Sequence, residues 1–301
     1  MSKNKKNPNQ LRVKALSKKQ NIVNYCADNL PILGSKTAVQ KAIQQRKLFL
    51  NKKLASINDF VKNGDFVRFQ NTDNQSIKSK KKKPKFDFEL PIVYEDDCLI
   101  IVNKPAGIAV NGTRNKTVEN AVIGLYKKSK EPDALPTPVA THRLDVPTKG
   151  LVMLAKTKTA LIRINKAFQT GKVDKVYYAV VHGKTPEKGR IEEPIDGKKS
   201  ITEFERIQVA PSRVFKHFSL VKLKPITGRT HQLRIHVKNL GHLIVGDKLY
   251  AKGQKTILGK GLFLCACELS FEHPVRGERI ELKIPPPSRF ERLLKKEKER
   301  F

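Results

Sequence analysis

The stretch from Asn71 to Lys85 limits the architecture more than any other part of the chain. It is polar almost throughout and ends in Lys80, Lys81, Lys82, Lys83, Pro84 and Lys85, a series that cannot pack against an apolar surface. Whatever precedes and follows it must bury its own core. We read 71–89 as a Lys-rich linker. Its composition resembles a nuclear-import signal, but a solvated, phosphate-seeking tether is the simpler reading.

Ahead of the linker, residues 1–20 carry seven Lys or Arg and no acid, which predicts a basic flexible arm. Residues 21–70 change to a globular pattern. Val39, Ala42 and Ile43 fall at helical spacing behind Ser35, a suitable N-cap. Leu48 and Leu50, the Asn51-Lys52 turn, Phe60-Val61, Gly64-Asp65 and Phe66-Val67 read as short strands and turns, so a small domain is expected with helices first and strands after.

Beyond the linker, residues 90–289 give dense apolar signals. Ile92-Val93, Leu99 to Val102, Leu151 to Ala155, Tyr177 to Val181, Thr202 to Ile207, Phe218 to Leu223, Leu262 to Leu264 and Ile280 to Ile284 read as strands. Thr157 caps a helix in which Ala160, Leu161, Ile164, Ala167 and Phe168 share one face before Gly171. Helix and strand do not alternate strictly, so the fold class is α+β with a mixed, mostly antiparallel β-sheet. Residues 290–301 are expected to be a charged C-terminal tail or helix.

Charge narrows the partners. Among 301 residues, 61 Lys and Arg stand against 28 Asp and Glu, a formal net charge of +33 that points to RNA, DNA or an anionic membrane. The longest apolar runs fall far short of the roughly 20 residues a helix needs to cross a bilayer, and no apolar h-region follows the basic start. No membrane span or export is expected, and the cytoplasm is the predicted location. Cys26, Cys98 and the Cys265-x-Cys267 pair lack the second half of a zinc site and read as reduced packing residues. His231 and His236 are five apart, misaligned on a helix, so no metal is expected.

Three polar clusters interrupt the apolar elements: His142-Arg143-Leu144-Asp145, Lys175-Val176-Tyr177-Tyr178, and Thr227 to Arg234. Taken singly, an Asp in a loop is usually a cap or turn residue, a Tyr in a strand is core or rim, and an Arg on a helix is solvated. The third cluster says more. Leu233, Val237 and Leu240 lie on one face of a helix from about Thr230 to Leu240, which places Arg234 one turn in from an anion-attracting N-terminus, able to clamp a phosphate or pair with a carboxylate.

Together these clusters resemble the RluA-type pseudouridine synthases over about residues 90 to 287. The likeness runs from Tyr94-Glu95-Asp96-Asp97 and Asn103-Lys104-Pro105-Ala106-Gly107 through His142 to Asp145 with Thr148 and Gly150. It continues through Lys175 to Gly183 and Pro225 to Tyr250, and closes at Phe271 to Glu278. The pairing of His-Arg-Leu-Asp with Thr-Gly-Arg-Thr-His-Gln-Leu-Arg-x-His carries the specificity. The small domain resembles the S-four-like RNA-binding module through the helix after Ser35, Asn51, Gly64 and Asp65, although the usual Arg-Leu-Asp opening is missing near Gln20 to Asn24.

The resemblance implies an RNA uridine isomerase with Asp145 as nucleophile or base, Tyr177 as the active-site tyrosine that stacks on the base and helps move its C5 proton, and Arg234 as the partner that keeps Asp145 ionised and oriented. Arg143 would fill the space left by the extruded base. Substrate contacts carry over to His142, Arg229, Thr230, His231 and Gln232. The rearrangement involves no net redox change, so no cofactor is implied, and no protein partner is evident. Ribosomal RNA is the expected substrate, with transfer RNA the alternative. Lys149 stands where the family usually has Ser, Val146-Pro147 stiffens the loop after Asp145, and residues 190–200 are shorter than the RNA-gripping insertion of many members. A non-catalytic RNA-binding or ribosome-assembly factor on the same scaffold would have been favoured by loss of Asp145, Tyr177 or Arg234, and none is lost.

Overall fold

The computed structural model describes residues 9–70 and 90–301, apart from 15, 31, 32, 114, 252, 254 and 258. The predicted linker 71–89 and the first eight residues of the predicted arm lie outside the described residues. The chain divides into two compact units, Met1–Lys82 and Lys83–Phe301.

The smaller unit contains β1 (Gln10–Arg12), β2 (Gln20–Asn21), α1 (Ile22–Asn29), α2 (Lys36–Gln44), β3 (Leu48–Leu50), β4 (Lys53–Leu54), β5 (Phe60–Val61) and β6 (Phe66–Phe69). Ser35 caps α2 by accepting from the Ala38 amide at 3.2 Å. The described residues between 9 and 20 are not a free arm. β1 pairs antiparallel with β6, Leu11 opposite Val67, and Val13 is buried with Ile22, Cys26, Val39, Leu48 and Val67. The lysines misled because the apolar residues Leu11 and Val13 are too few to show a period. Asn51 and Lys52 both take left-handed backbone in the β3–β4 hairpin. The Asn51 side chain then accepts from the Phe66 amide and donates to Asp65, each at 2.8 Å, closing the sheet edge.

The larger unit holds β7 (Ile92–Glu95), β8 (Leu99–Lys104), α3 (Val118–Ala121), β9 (Ala134–Ala140), β10 (Lys149–Thr157) and α4 (Lys158–Gln169). After them come β11 (Asp174–His182), β12 (Lys188–Ile191), β13 (Thr202–Ser212), β14 (Lys216–Pro225), α5 (Gln232–Asn239), β15 (Leu264–Glu272), β16 (Arg279–Lys283) and α6 (Ser288–Arg300). The sheet order is β12-β13-β14-β11-β15-β10-β8-β7, with β16 on β15 and β9 on β10. Every pairing is antiparallel except β10 with β15.

The apolar runs of β8 and β10 follow from burial on both faces. Ile100, Val102, Val152 and Leu154 enter one core, while Leu99, Ile101, Leu151, Met153 and Ala155 enter the core beneath α4. Thr157 caps α4 by accepting from the Ala160 amide. The parallel step is short, Lys149 opposite Cys265 and Gly150 opposite Ala266. Gly150 has φ +119, and a Cβ there would lie 2.1 Å from the Ala266 carbonyl oxygen, so only glycine fits where the two halves of the sheet meet.

Of the charged tail or helix expected at 290–301, the helix forms, and it is docked on the core rather than solvated. Phe290, Leu293 and Leu294 of α6 are buried in the core shared by β11, β14 and β15. Each such side chain contributes roughly 1.5–3 kcal/mol, and the charged residues between them are the helix's outer face.

Candidate active site

The β9–β10 connection is pinned to β10 at its start, where the Thr141 amide donates to the Met153 carbonyl at 3.0 Å and His142 Nε2 accepts from the Met153 amide at 3.1 Å. Leu144 plugs into the core, and the Thr148 amide donates to the Asp145 carbonyl, so residues 145–148 form a tight turn with the Asp145 carboxylate at its head. The same turn is gripped from below. Lys104, fully buried at the end of β8, donates to the carbonyls of Pro105, Ile108 and Val146, and the Gly107 amide also donates to Val146. Burial pulls the Lys104 pKa down to about 8, with the nearby Asp145 carboxylate opposing that shift.

Asp145 faces α5. Arg234 Nη1 donates to its Oδ2 at 3.1 Å, and His231 Nε2 lies 3.6 Å from the same oxygen. Oδ1 has no hydrogen-bond partner among the described residues and opens to the cleft. Arg234, with a side chain only 6% exposed, is itself held by Asp247, whose Oδ2 and Oδ1 accept from Nε at 2.7 Å and Nη2 at 2.8 Å. Burial works against the Arg234 charge, but the two carboxylates outweigh it and raise its pKa. The ring of Tyr250 lies under this guanidinium, 5.0 Å from centroid to Cζ, and its hydroxyl meets His231 Nδ1 at 2.9 Å.

Tyr177 opens the opposite wall from β11. A bulge between Val176 and Tyr177 in the β15 pairing sets its ring into the cleft, while Tyr178 donates to Glu268 elsewhere. Burial first, then the charge of Asp145, push the Tyr177 hydroxyl well above the ordinary range, so it stays protonated at neutral pH. Among the described residues that hydroxyl has no hydrogen-bond partner.

All nine residues singled out from the sequence line one cleft of about 640 Å³. They do not all have the expected character. The Gln232 side chain accepts from Thr227 Oγ1 and the Arg229 amide and donates to the Ile201 carbonyl and Thr202 Oγ1, which uses its hydrogen-bonding capacity within the protein. It fixes the start of α5 rather than reaching a ligand. His142 packs against Phe168, and burial lowers its pKa to about 3, so it is a neutral wall. Arg143, Arg229 and Thr230 are exposed at the rim, and Arg229 Nε donates to the Lys199 carbonyl. Asp247, Lys104 and Tyr250 were missed as functional residues. Asp247 follows a Gly after an apolar run, which reads as a turn, and Lys104 precedes a Pro, which reads as a strand end.

Among the described residues, Asp96, Cys98 and His273 could in principle gather a metal, their ligand atoms lying within 4.8 Å of one another. Asp96 is already saturated by Tyr94, His273, Arg276 and the amides of Cys98 and Leu99, and His273 Nδ1 accepts from the amides of Val275 and Arg276. The group is a hydrogen-bonded knot that ties β7 to the end of β15. No helix among the described residues is long and apolar enough to cross a membrane.

Comparison with known proteins follows the same outline. The family described as RNA pseudouridylate synthase matches residues 98–239. The ribosomal large subunit pseudouridine synthase C of Rickettsia bellii is 31% identical over 283 residues, covering 85% of this chain and 91% of that protein. The ribosomal large subunit pseudouridine synthase D of Vibrio parahaemolyticus is 36% identical over 229 residues, covering 67% and 68%. Among solved structures, human RNA pseudouridylate synthase domain containing 1 superposes with a TM-score of 0.56 at 26% identity, over 68% of this chain and 86% of that one.

Proposed function

Because the chain belongs to the RluA-type pseudouridine synthases, enzymes that isomerise uridine in RNA, we propose that it acts on large-subunit ribosomal RNA with Asp145 as its reactive group. The Rickettsia and Vibrio relatives, both ribosomal large subunit pseudouridine synthases, support that substrate. The observation that carries the catalytic assignment is the asymmetry of Asp145: Oδ2 is fixed by Arg234, while Oδ1 is open in the cleft that Tyr177 faces. A carboxylate paired with a guanidinium on one oxygen and aimed in this way suits attack on the nucleoside or removal of a proton from it.

The reaction breaks N1–C1′, turns the base and forms C5–C1′; the C5 proton leaves and N1 gains one, so atoms and electrons balance without an oxidant. Tyr177, protonated and without a partner of its own, is placed to stack on the base and pass that proton. A uridine within folded RNA must be extruded to enter a cleft of this size, and exposed Arg143 at the rim is placed to occupy its position in the stack. Four free, buried cysteines fit a reducing compartment, and we place the activity in the cytoplasm.

The test is to measure tritium release from RNA labelled at uridine C5 and to map pseudouridines in total RNA from cells with and without the protein. Asp145→Asn should abolish release while RNA binding survives. Near wild-type turnover by that variant would remove the catalytic assignment, and sites vanishing from transfer RNA alone would move the substrate.

A further inference from the structure

Lys175 differs from Arg229 and Arg234 in the same cleft. Arg234 is neutralised by Asp247 and Asp145, and Arg229 sits at the exposed rim with a carbonyl partner. Lys175 is half-buried on β11 and lines the same cleft as Tyr177, and its ammonium has no hydrogen bond or ion pair to any described residue. Its Nζ rests over the ring of Phe168, 5.6 Å from the centroid. The carboxylate beside it in sequence is already engaged, since Asp174 binds Lys224 at 3.0 Å and Arg279 at 2.7 Å. Burial lowers the Lys175 pKa, and Asp174 only partly offsets this. His142, on the same wall, has a neutral ring and supplies no anion.

A desolvated ammonium without a counter-charge costs the free protein stability, and the cost is recovered when an anion enters. A lysine head is a compact charge with three rotatable donors, which suits a phosphate oxygen better than a base edge. We propose that Lys175, steadied by Phe168, anchors an RNA phosphate flanking the target uridine. This rests on the RNA-isomerising reading of the cleft.

The experiment uses the full chain with transcribed large-subunit ribosomal RNA, comparing wild type, Lys175→Met and Lys175→Arg. Lys175→Met should bind about tenfold more weakly at low salt, and the slope of log Kd against log salt should fall by about 0.7 to 0.9, one phosphate contact. Lys175→Arg should restore both. Without RNA, Lys175→Met should melt no lower than wild type, because it loses an uncompensated charge. An unchanged slope and affinity, or a lowered melting temperature that exposes a packing role, would overturn the proposal. Tritium release by wild type from the same RNA separates the two readings: an inactive wild type defeats the functional assignment, whereas an active wild type with an unaltered Lys175→Met slope defeats the subsite alone.

Discussion

Asp247→Asn isolates the residue on which the geometry of Arg234 depends. The Asp247 side chain is 0% exposed and accepts four bonds, from Arg234 Nε and Nη2 at 2.7 and 2.8 Å and from the amides of Leu249 and Tyr250 at 3.1 and 3.2 Å. An amide of the same shape keeps one acceptor oxygen and turns an NH2 group toward donors. With the oxygen kept at the Oδ1 position, which accepts three of the four bonds, the NH2 group faces the Arg234 Nε–H, so that 2.7 Å bond is lost and the guanidinium stays buried without its main anion. Removing one partner of a buried pair costs about 3–5 kcal/mol. For a unit of this size that lowers the melting midpoint by roughly 6–20 °C, at about 2–4 °C per kcal/mol.

Chemistry should suffer separately. Only the Nη1 bond would still hold Arg234 toward Asp145, and a displacement of about 1 Å in a reacting group costs on the order of a hundredfold. Thermal unfolding followed by circular dichroism reads the first effect, and single-turnover tritium release well below the variant's own midpoint reads the second. A variant melting within about 2 °C of wild type and reacting within about threefold would refute both steps, because each figure lies outside the ranges just derived.

Tyr177→Phe should slow single-turnover isomerisation by about 10²–10⁴, the range of a lost acid–base group, while urea unfolding stays near wild type because the hydroxyl has no partner to lose; an unchanged rate would remove it from the proton path. Lys104 gives a pH test: its folded pKa of about 8 lies below the ordinary 10.5, so its burial penalty is full below about pH 8 and is relieved as pH rises toward 10.5. Wild type should therefore gain stability over that window relative to Lys104→Met, by up to about 3 kcal/mol, and parallel urea curves at pH 7 and 10 would contradict it. Gly150→Ala should destabilise the larger unit by several kcal/mol, since its Cβ would meet a carbonyl oxygen; a midpoint within about 2 °C of wild type would show that β10 and β15 can separate cheaply.

What the sequence displayed follows from where local chemistry and burial agree. Alternating residues of β8 and β10 enter two cores, so their runs were plain, and Thr157 stands where its side chain caps α4. β9 was hidden because Pro136 and Pro138 weaken any strand signal, and it pairs with β10 at only a few positions. α6 could not be told from a tail because three buried side chains are outnumbered by charges. The cleft-lining set was visible as clusters, but the supports were not. Lys104 and Asp247 look like ordinary surface charges until the turn at Val146 and the guanidinium of Arg234 are seen against them, since burial of a charge is a property of distant chain segments.

The parallel step at Gly150 and Ala266 also bears on how the molecule comes to be active. Asp145 is placed by one half of the sheet and Tyr177 by the other, and this seam joins segments more than a hundred residues apart in the chain. Contacts so distant form late, after nearby hairpins such as β13–β14. A refolding chain therefore presents its full positive charge to RNA well before it owns a cleft. During refolding, RNA retention should recover in an earlier kinetic phase than turnover, with the closing of the seam setting the delay between them.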